Sequence, residues 1–245
     1  MCGIVGLVHS APVNQALYDS LSLLQHRGQD STGIATMDGE RLHMHRAKGY
    51  VREAFRTRDM RALKGNTGIA HVRYATQGSA AEASEAQPFY VNAPYGIVLV
   101  HNGNLINTRE LTRQLLEVDR RHVNTSSDTE LLLNVLAQEL QDASSELDLH
   151  AEQIFASVSR LHERVQGSYA AIALIAGYGL LAFRDPYGIR PLTIGRRPGP
   201  QGRVEWAVAS ESLLHESGGY EAVTKAKRDR RGMIYEDFTD VEGYN

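Results

Sequence analysis

Apolar residues first gather at Gly3–Val8 (GIVGLV), a short run with no polar interruption. Such a run reads as a buried strand that begins almost at the amino terminus. The spacing then turns helical. Ala16, Leu17, Leu21 and Leu24 share one face, and Asn14 stands where it can cap a helix running to about Gln25. A polar, glycine-bearing loop follows at His26–Ser31. Strand-like pieces come next, at Gly33–Met37, Arg41–Arg46, Gly68–Tyr74 and Gly96–His101. The stretch Ala75–Pro94 has no period and reads as a long loop. Loops of that length are usually functional or disordered.

Two helix starts follow. Asn107 with Glu110 and Ser127 with Glu130 have the capping-box spacing, a cap residue three before a glutamate. A third helix is expected over Ala151–Arg164. The last third returns to strands, at Tyr169–Ala176, Gly179–Arg184, Leu192–Gly195 and Glu205–Ala209, with Met233–Phe238 as a final edge strand. Strands, then helices, then strands predict an α+β fold of antiparallel sheets covered by helices. The basic run Lys225–Arg231 reads as a solvated surface loop.

Bulk properties narrow the classes. The chain has 245 residues and a net charge of −3, without the basic excess of a nucleic-acid binder. One cysteine excludes an internal disulfide and points to a reducing, cytoplasmic setting. No basic region with an apolar run opens the chain, so no signal peptide is expected. No apolar run approaches the ~20 residues that span a bilayer.

That one cysteine is Cys2, directly after the initiator. Removal of Met1 would put a thiol and a free α-amine on one residue. An α-amine has a pKa of about 7.7–8.0 and can serve as a base beside the thiol. Taken alone, Cys2 reads rather as a small apolar residue opening a buried strand. Four further segments change that reading: Leu24–Ser31 (LQHRGQDS), His71–Thr76 (HVRYAT), His101–Asn104 (HNGN) and Ser127–Glu130 (SDTE). His43 and His45 could share a strand face as a metal pair, but no third ligand is near, and no metal is expected.

In this order and spacing, the five segments resemble the class II glutamine amidotransferases, whose nucleophile is the amino-terminal residue. The resemblance covers about residues 2–210. It implies a four-layer αββα sandwich of the Ntn-hydrolase type. It implies Cys2 as nucleophile, with the side chain of Asn102 and the backbone N–H of Gly103 as oxyanion donors. An Asn-Gly pair is otherwise a strong hairpin-turn signal. Arg73 suits the α-carboxylate of L-glutamine through a bidentate fork, and Asp128 suits its ammonium. By the same resemblance Thr76 and Gly28 complete the pocket. Arg73–Ser84 would be the loop that closes over substrate, with Tyr74 as its latch.

Three stretches resemble one branch, the amidophosphoribosyltransferases of purine synthesis: His26–Ser31, Ala86–Phe89 (AQPF) and Arg184–Leu192 (RDPYGIRPL). Ala209–Ser212 (ASES) resembles it as well. That branch carries a second, phosphoribosyltransferase domain, and no motif for it follows residue 212. Residues 1–245 are therefore expected to be a single glutaminase domain. Its expected partners are L-glutamine and a phosphoribosyltransferase domain or subunit that accepts ammonia; homo-oligomerisation is left open. The glutaminase reaction needs no cofactor, and magnesium is expected only in the missing domain. The alternatives are a glutaminase of the hexosamine or asparagine type and a non-catalytic glutamine-sensing subunit. The intact set of Cys2, Arg73, Asn102 and Asp128 weighs against the last.

Overall fold

A computed structural model describes residues 1–74, 85–143, 149–223, 227–228 and 234–235. In chain order the elements are β1 (Gly3–Val8), α1 (Asn14–Leu23), β2 (Ser31–Asp38), β3 (Arg41–Lys48), α2 (Val51–Ala54), α3 (Thr57–Ala62), β4 (Thr67–Arg73) and β5 (Phe89–Val91). Then come β6 (Ile97–Leu105), α4 (Thr108–Glu117), α5 (Asp128–Ala143), α6 (Ala151–Arg164), β7 (Gly167–Ile175), β8 (Gly179–Arg184) and β9 (Thr193–Pro198). Last are β10 (Val204–Ala209), α7 (Leu213–Gly218), β11 (Glu221–Ala222), β12 (Lys227–Arg228) and β13 (Ile234–Tyr235).

Two antiparallel sheets face each other. The larger runs β11-β9-β10-β1-β4-β2-β3, and the smaller runs β5-β6-β7-β8. Alternation along each strand sorts the side chains into three apolar layers. On β1, Ile4 enters the layer between the sheets, beside Ala35, Ile69, Val98, Val100, Ile172 and Val208. Val5 and Leu7 point the other way, against Leu17 and Leu21 of α1. On the outer face of the smaller sheet, Leu99, Ala171, Ala173 and Phe183 pack under α4, α5 and α6. The order is helix, sheet, sheet, helix, as the resemblance implied. Gly6 lets the sheets approach closely: a Cβ there would lie 2.7 Å from Leu180 and 2.9 Å from Ile172.

Several local expectations need correction. Asn14 is the first residue of α1 rather than its cap, and its side-chain N–H donates to Met60 O at 2.8 Å. Neither expected capping box forms. Asn107 instead ties α4 to the chain before β7, donating to Arg164 O at 2.9 Å and accepting from Gln166 N at 3.0 Å. Glu130 reaches past Ser127 and accepts from the backbone N–H of Asn124 and Thr125, at 2.9 and 2.7 Å. The supposed loop Ala75–Pro94 contains β5. Of the expected closing strand Met233–Phe238, the described residues Ile234–Tyr235 pair with β12 in a small sheet of their own rather than at the edge of a main sheet, and the others lie outside the described residues. No helix among the described residues is long and apolar enough to cross a membrane.

Candidate active site

The inter-sheet layer turns polar at one end. Cys2 extends the β1 face that carries Ile4. Asn102 extends the β6 face that carries Val98 and Val100, which pack in the same layer as Ile4. His71 and Arg73 extend the β4 face that carries Ile69. Strand alternation alone therefore aims these groups into one corner.

Cys2 is half-buried. Burial pushes its thiol above the ordinary cysteine range, and the Asp128 carboxylate adds to this. A backbone hydrogen bond from Tyr74, the amino-terminal charge and Arg73 work the other way. Asn102 is 1 % exposed, and its Nδ2 has no hydrogen-bond partner among the described residues. Asn102 and Gly103 lie inside β6, not in the hairpin turn that an Asn-Gly pair otherwise suggests. Only glycine fits at 103, because a Cβ would lie 2.1 Å from Ser168 O on the neighbouring strand.

Arg73 is buried between two acids, donating Nη1–H to Asp30 and Nη2–H to Glu85. Glu85 also accepts from Ser126 Oγ at 2.8 Å. Gly28 packs on the next peptide, where a Cβ would lie 2.4 Å from the Arg73 carbonyl carbon. Asp128 opens α5. Its Oδ2 accepts from Leu105 N at 3.1 Å, and its Oδ1 lies 3.6 Å from His101 Nδ1. Tyr74 is 56 % exposed at the end of β4. Thr76 lies outside the described residues. His45 Nε2 lies 2.9 Å from Ala54 O, and its Nδ1 lies 3.9 Å from Asp59 Oδ1. No group of three metal-ligating side chains gathers among the described residues.

Residue roles left unassigned by the sequence lie behind this corner. Gln87 accepts from His101 N at 2.6 Å and donates to Thr129 Oγ1 at 2.9 Å; that hydroxyl meets His101 Nδ1 at 3.2 Å. This network ties β6 to the start of α5. His71 and His101 are fully buried, and burial lowers both pKa values, His71 to about 3. A histidine depressed in the fold is stabilising above its unfolded pKa of about 6.5, and that contribution fades as pH falls toward the folded value. Stability should therefore decline from pH 6.5 downward, by at most about 1.4 kcal/mol per pH unit for each histidine. Denaturant unfolding at pH 7.5, 6 and 5 measures this. A His71→Gln chain should show a shallower slope, and an unchanged slope would sink the assignment.

The profile of a family described as "Glutamine amidotransferase domain" matches residues 71–214. The chain belongs to this family. This glutamine amidotransferase domain is 53 % identical over 224 residues to the amidophosphoribosyltransferase of Pasteurella multocida, covering 91 % of this chain and 44 % of that protein. It is 51 % identical over 222 residues to the amidophosphoribosyltransferase of Escherichia coli, covering 90 % and 44 %. Among solved structures it superposes on the glutamine phosphoribosylpyrophosphate amidotransferase of B. subtilis, with a TM-score of 0.72 and 32 % identity over 91 % of this chain and 44 % of that one. The structure titled as the allosteric regulatory enzyme of purine biosynthesis gives 0.74 and 33 %, with the same coverage. The domain thus spans less than half the length of these relatives.

Proposed function

We propose that this domain hydrolyses the side-chain amide of L-glutamine through a γ-glutamyl thioester on Cys2. The carrying observation is the buried, unpartnered Asn102 Nδ2 on the inter-sheet face that also receives Cys2. An amide donor with no acceptor is costly unless something else fills it. A developing oxyanion is such a partner. With Met1 removed, the α-amine of Cys2 takes the thiol proton and gives it to the ammonia that departs as the thioester forms; water then cleaves the thioester, releasing glutamate and restoring the thiol. Asn102 and the Gly103 N–H stabilise the tetrahedral oxygen. Asp128 receives the substrate ammonium and Arg73 its α-carboxylate, which must compete there with Asp30 and Glu85. Gly28 and Thr76 line the pocket, and Tyr74 latches the loop that follows it.

The names of the relatives extend this reading. The ammonia is destined for phosphoribosyl diphosphate, in the first step of purine nucleotide synthesis. The acceptor domain corresponds to the part of the relatives that this chain does not match. Residues 1–245 alone form the glutaminase domain, work without a cofactor and reside in the cytoplasm.

A diazo-ketone analogue of glutamine tests the reading. Intact-mass spectrometry should find a chain without Met1 that gains one adduct, located on Cys2, and the chain should release glutamate from glutamine. Absence of both adduct and glutamate, in a chain that has lost Met1, would remove the proposal.

A further inference from the structure

The backbone of residues 2–4 is held by Arg27 and by Ser210, about two hundred positions away. Arg27 ends the 3-10 turn Leu24–Arg27 and is 8 % exposed. Its Nε–H donates to the Cys2 carbonyl at 2.9 Å, and its Nη1–H donates to the Glu211 carboxylate. Nη2 finds no partner among the described residues, so those two bonds set the plane of the guanidinium. His26 meets the same carboxylate at 3.2 Å. One residue earlier, Ser210 closes on Ile4 from both sides. Its N–H donates to Ile4 O at 3.0 Å, and its Oγ accepts from Ile4 N at 3.2 Å.

This arrangement has a directional consequence. Cys2 is the last residue before the strand ladder begins, since the β1 pairing to β4 starts at Gly3. Cys2 itself therefore has no register partner on β4. Its carbonyl is instead held by the Arg27 Nε–H, but a guanidinium can swing about its long stem unless a second acceptor fixes its fork. Glu211 is that acceptor. Burial opposes its charge, yet Arg27 and His26 outweigh this and hold the carboxyl below the usual glutamate range.

We propose that Glu211 is a positioning residue for the glutaminase reaction: acting through Arg27, it sets the direction in which Cys2 presents its thiol and amine. The proposal rests on the glutaminase reading above. It touches no part of the glutamine pocket, so its signature is a split between kcat and KM. A misplacement of about 1 Å in a reacting group costs on the order of 10²-fold. Glu211→Gln should lower kcat by roughly 10–100-fold with KM within about twofold. Iodoacetamide should still label Cys2 at least as fast as in the parent chain. Labelling at the parental rate then shows that a slow turnover is not due to a lost thiol or a lost fold.

Glu211→Asp keeps the charge but is too short to hold Arg27 on the Cys2 carbonyl, and the same kcat loss is expected. It decides the matter if Glu211→Gln does not fold. A folded variant with parental kcat, or one whose loss lies in KM alone, overturns the positioning role. A parent chain, free of Met1, that turns over no glutamine sinks the functional reading instead, so the two failures are distinct.

Discussion

Cys2→Ala is expected to bring glutamine hydrolysis down by on the order of 10⁵-fold, to the level left when a covalent nucleophile is removed from an otherwise intact site. Every other group in the corner stays. Arg73 keeps Asp30 and Glu85, Asp128 keeps Leu105 N, and the Arg27 Nε–H still meets the carbonyl of residue 2. Glutamine should therefore still bind, and isothermal titration should find an affinity within a few-fold of the parent. Stability should change by no more than about 1 kcal/mol, because only a half-buried sulfur is lost. A Cys2→Ala chain that kept a tenth of the parental rate would end the nucleophile assignment, whatever else it bound.

Asn102→Ala is the second large effect. Removing one oxyanion donor costs about 10²–10³-fold in rate, or about 2.7–4 kcal/mol of transition-state stabilisation. The loss should fall on kcat, since the oxyanion exists only after attack. Stability should behave otherwise. A buried donor without a partner costs the fold about 1–3 kcal/mol, and alanine relieves that while leaving a small cavity. The melting temperature should hold or rise while turnover collapses. Steady-state kinetics and thermal unfolding of the same preparation test both halves. A kcat within threefold of the parent would take Asn102 out of the reaction. A large fall in stability would mean that Nδ2 has a structural partner after all.

Much of the architecture was legible because apolar period and strand length agree with it. β1, β8 and α6 have the bounds that their patterns suggest, and the antiparallel α+β reading followed from element order. The failures share a cause. Asn14, Asn107 and Glu130 carry good local capping chemistry, but Met60, Arg164, Gln166 and Asn124 offer partners that local spacing cannot reveal. The pair Asn102-Gly103 has turn chemistry, yet it continues β6 because β7 supplies a ladder partner for each residue. The site shows the same division. Cys2, Arg73, Asn102 and Asp128 could be singled out from their segments, and strand alternation brings the first three to one corner. Glu85 and Glu211 were not, because their work is defined by arginines 12 and 184 positions away. The ammonium, carboxylate and oxyanion roles come from chemistry matched to resemblance, and the geometry is what makes them testable.

The clamp on residues 2–4 also carries a clock. Residues 2–4 are bonded directly to Ser210 and, through Arg27, to Glu211, about two hundred positions later, and β1 lies between β4 and the late strand β10. Pairings between such distant positions form slowly, after the local hairpins. Until β10 docks, β1 lacks its second neighbour and the bonds between Ile4 and Ser210 are not made. On the positioning role proposed for Glu211, the domain becomes competent only once its late strands have docked.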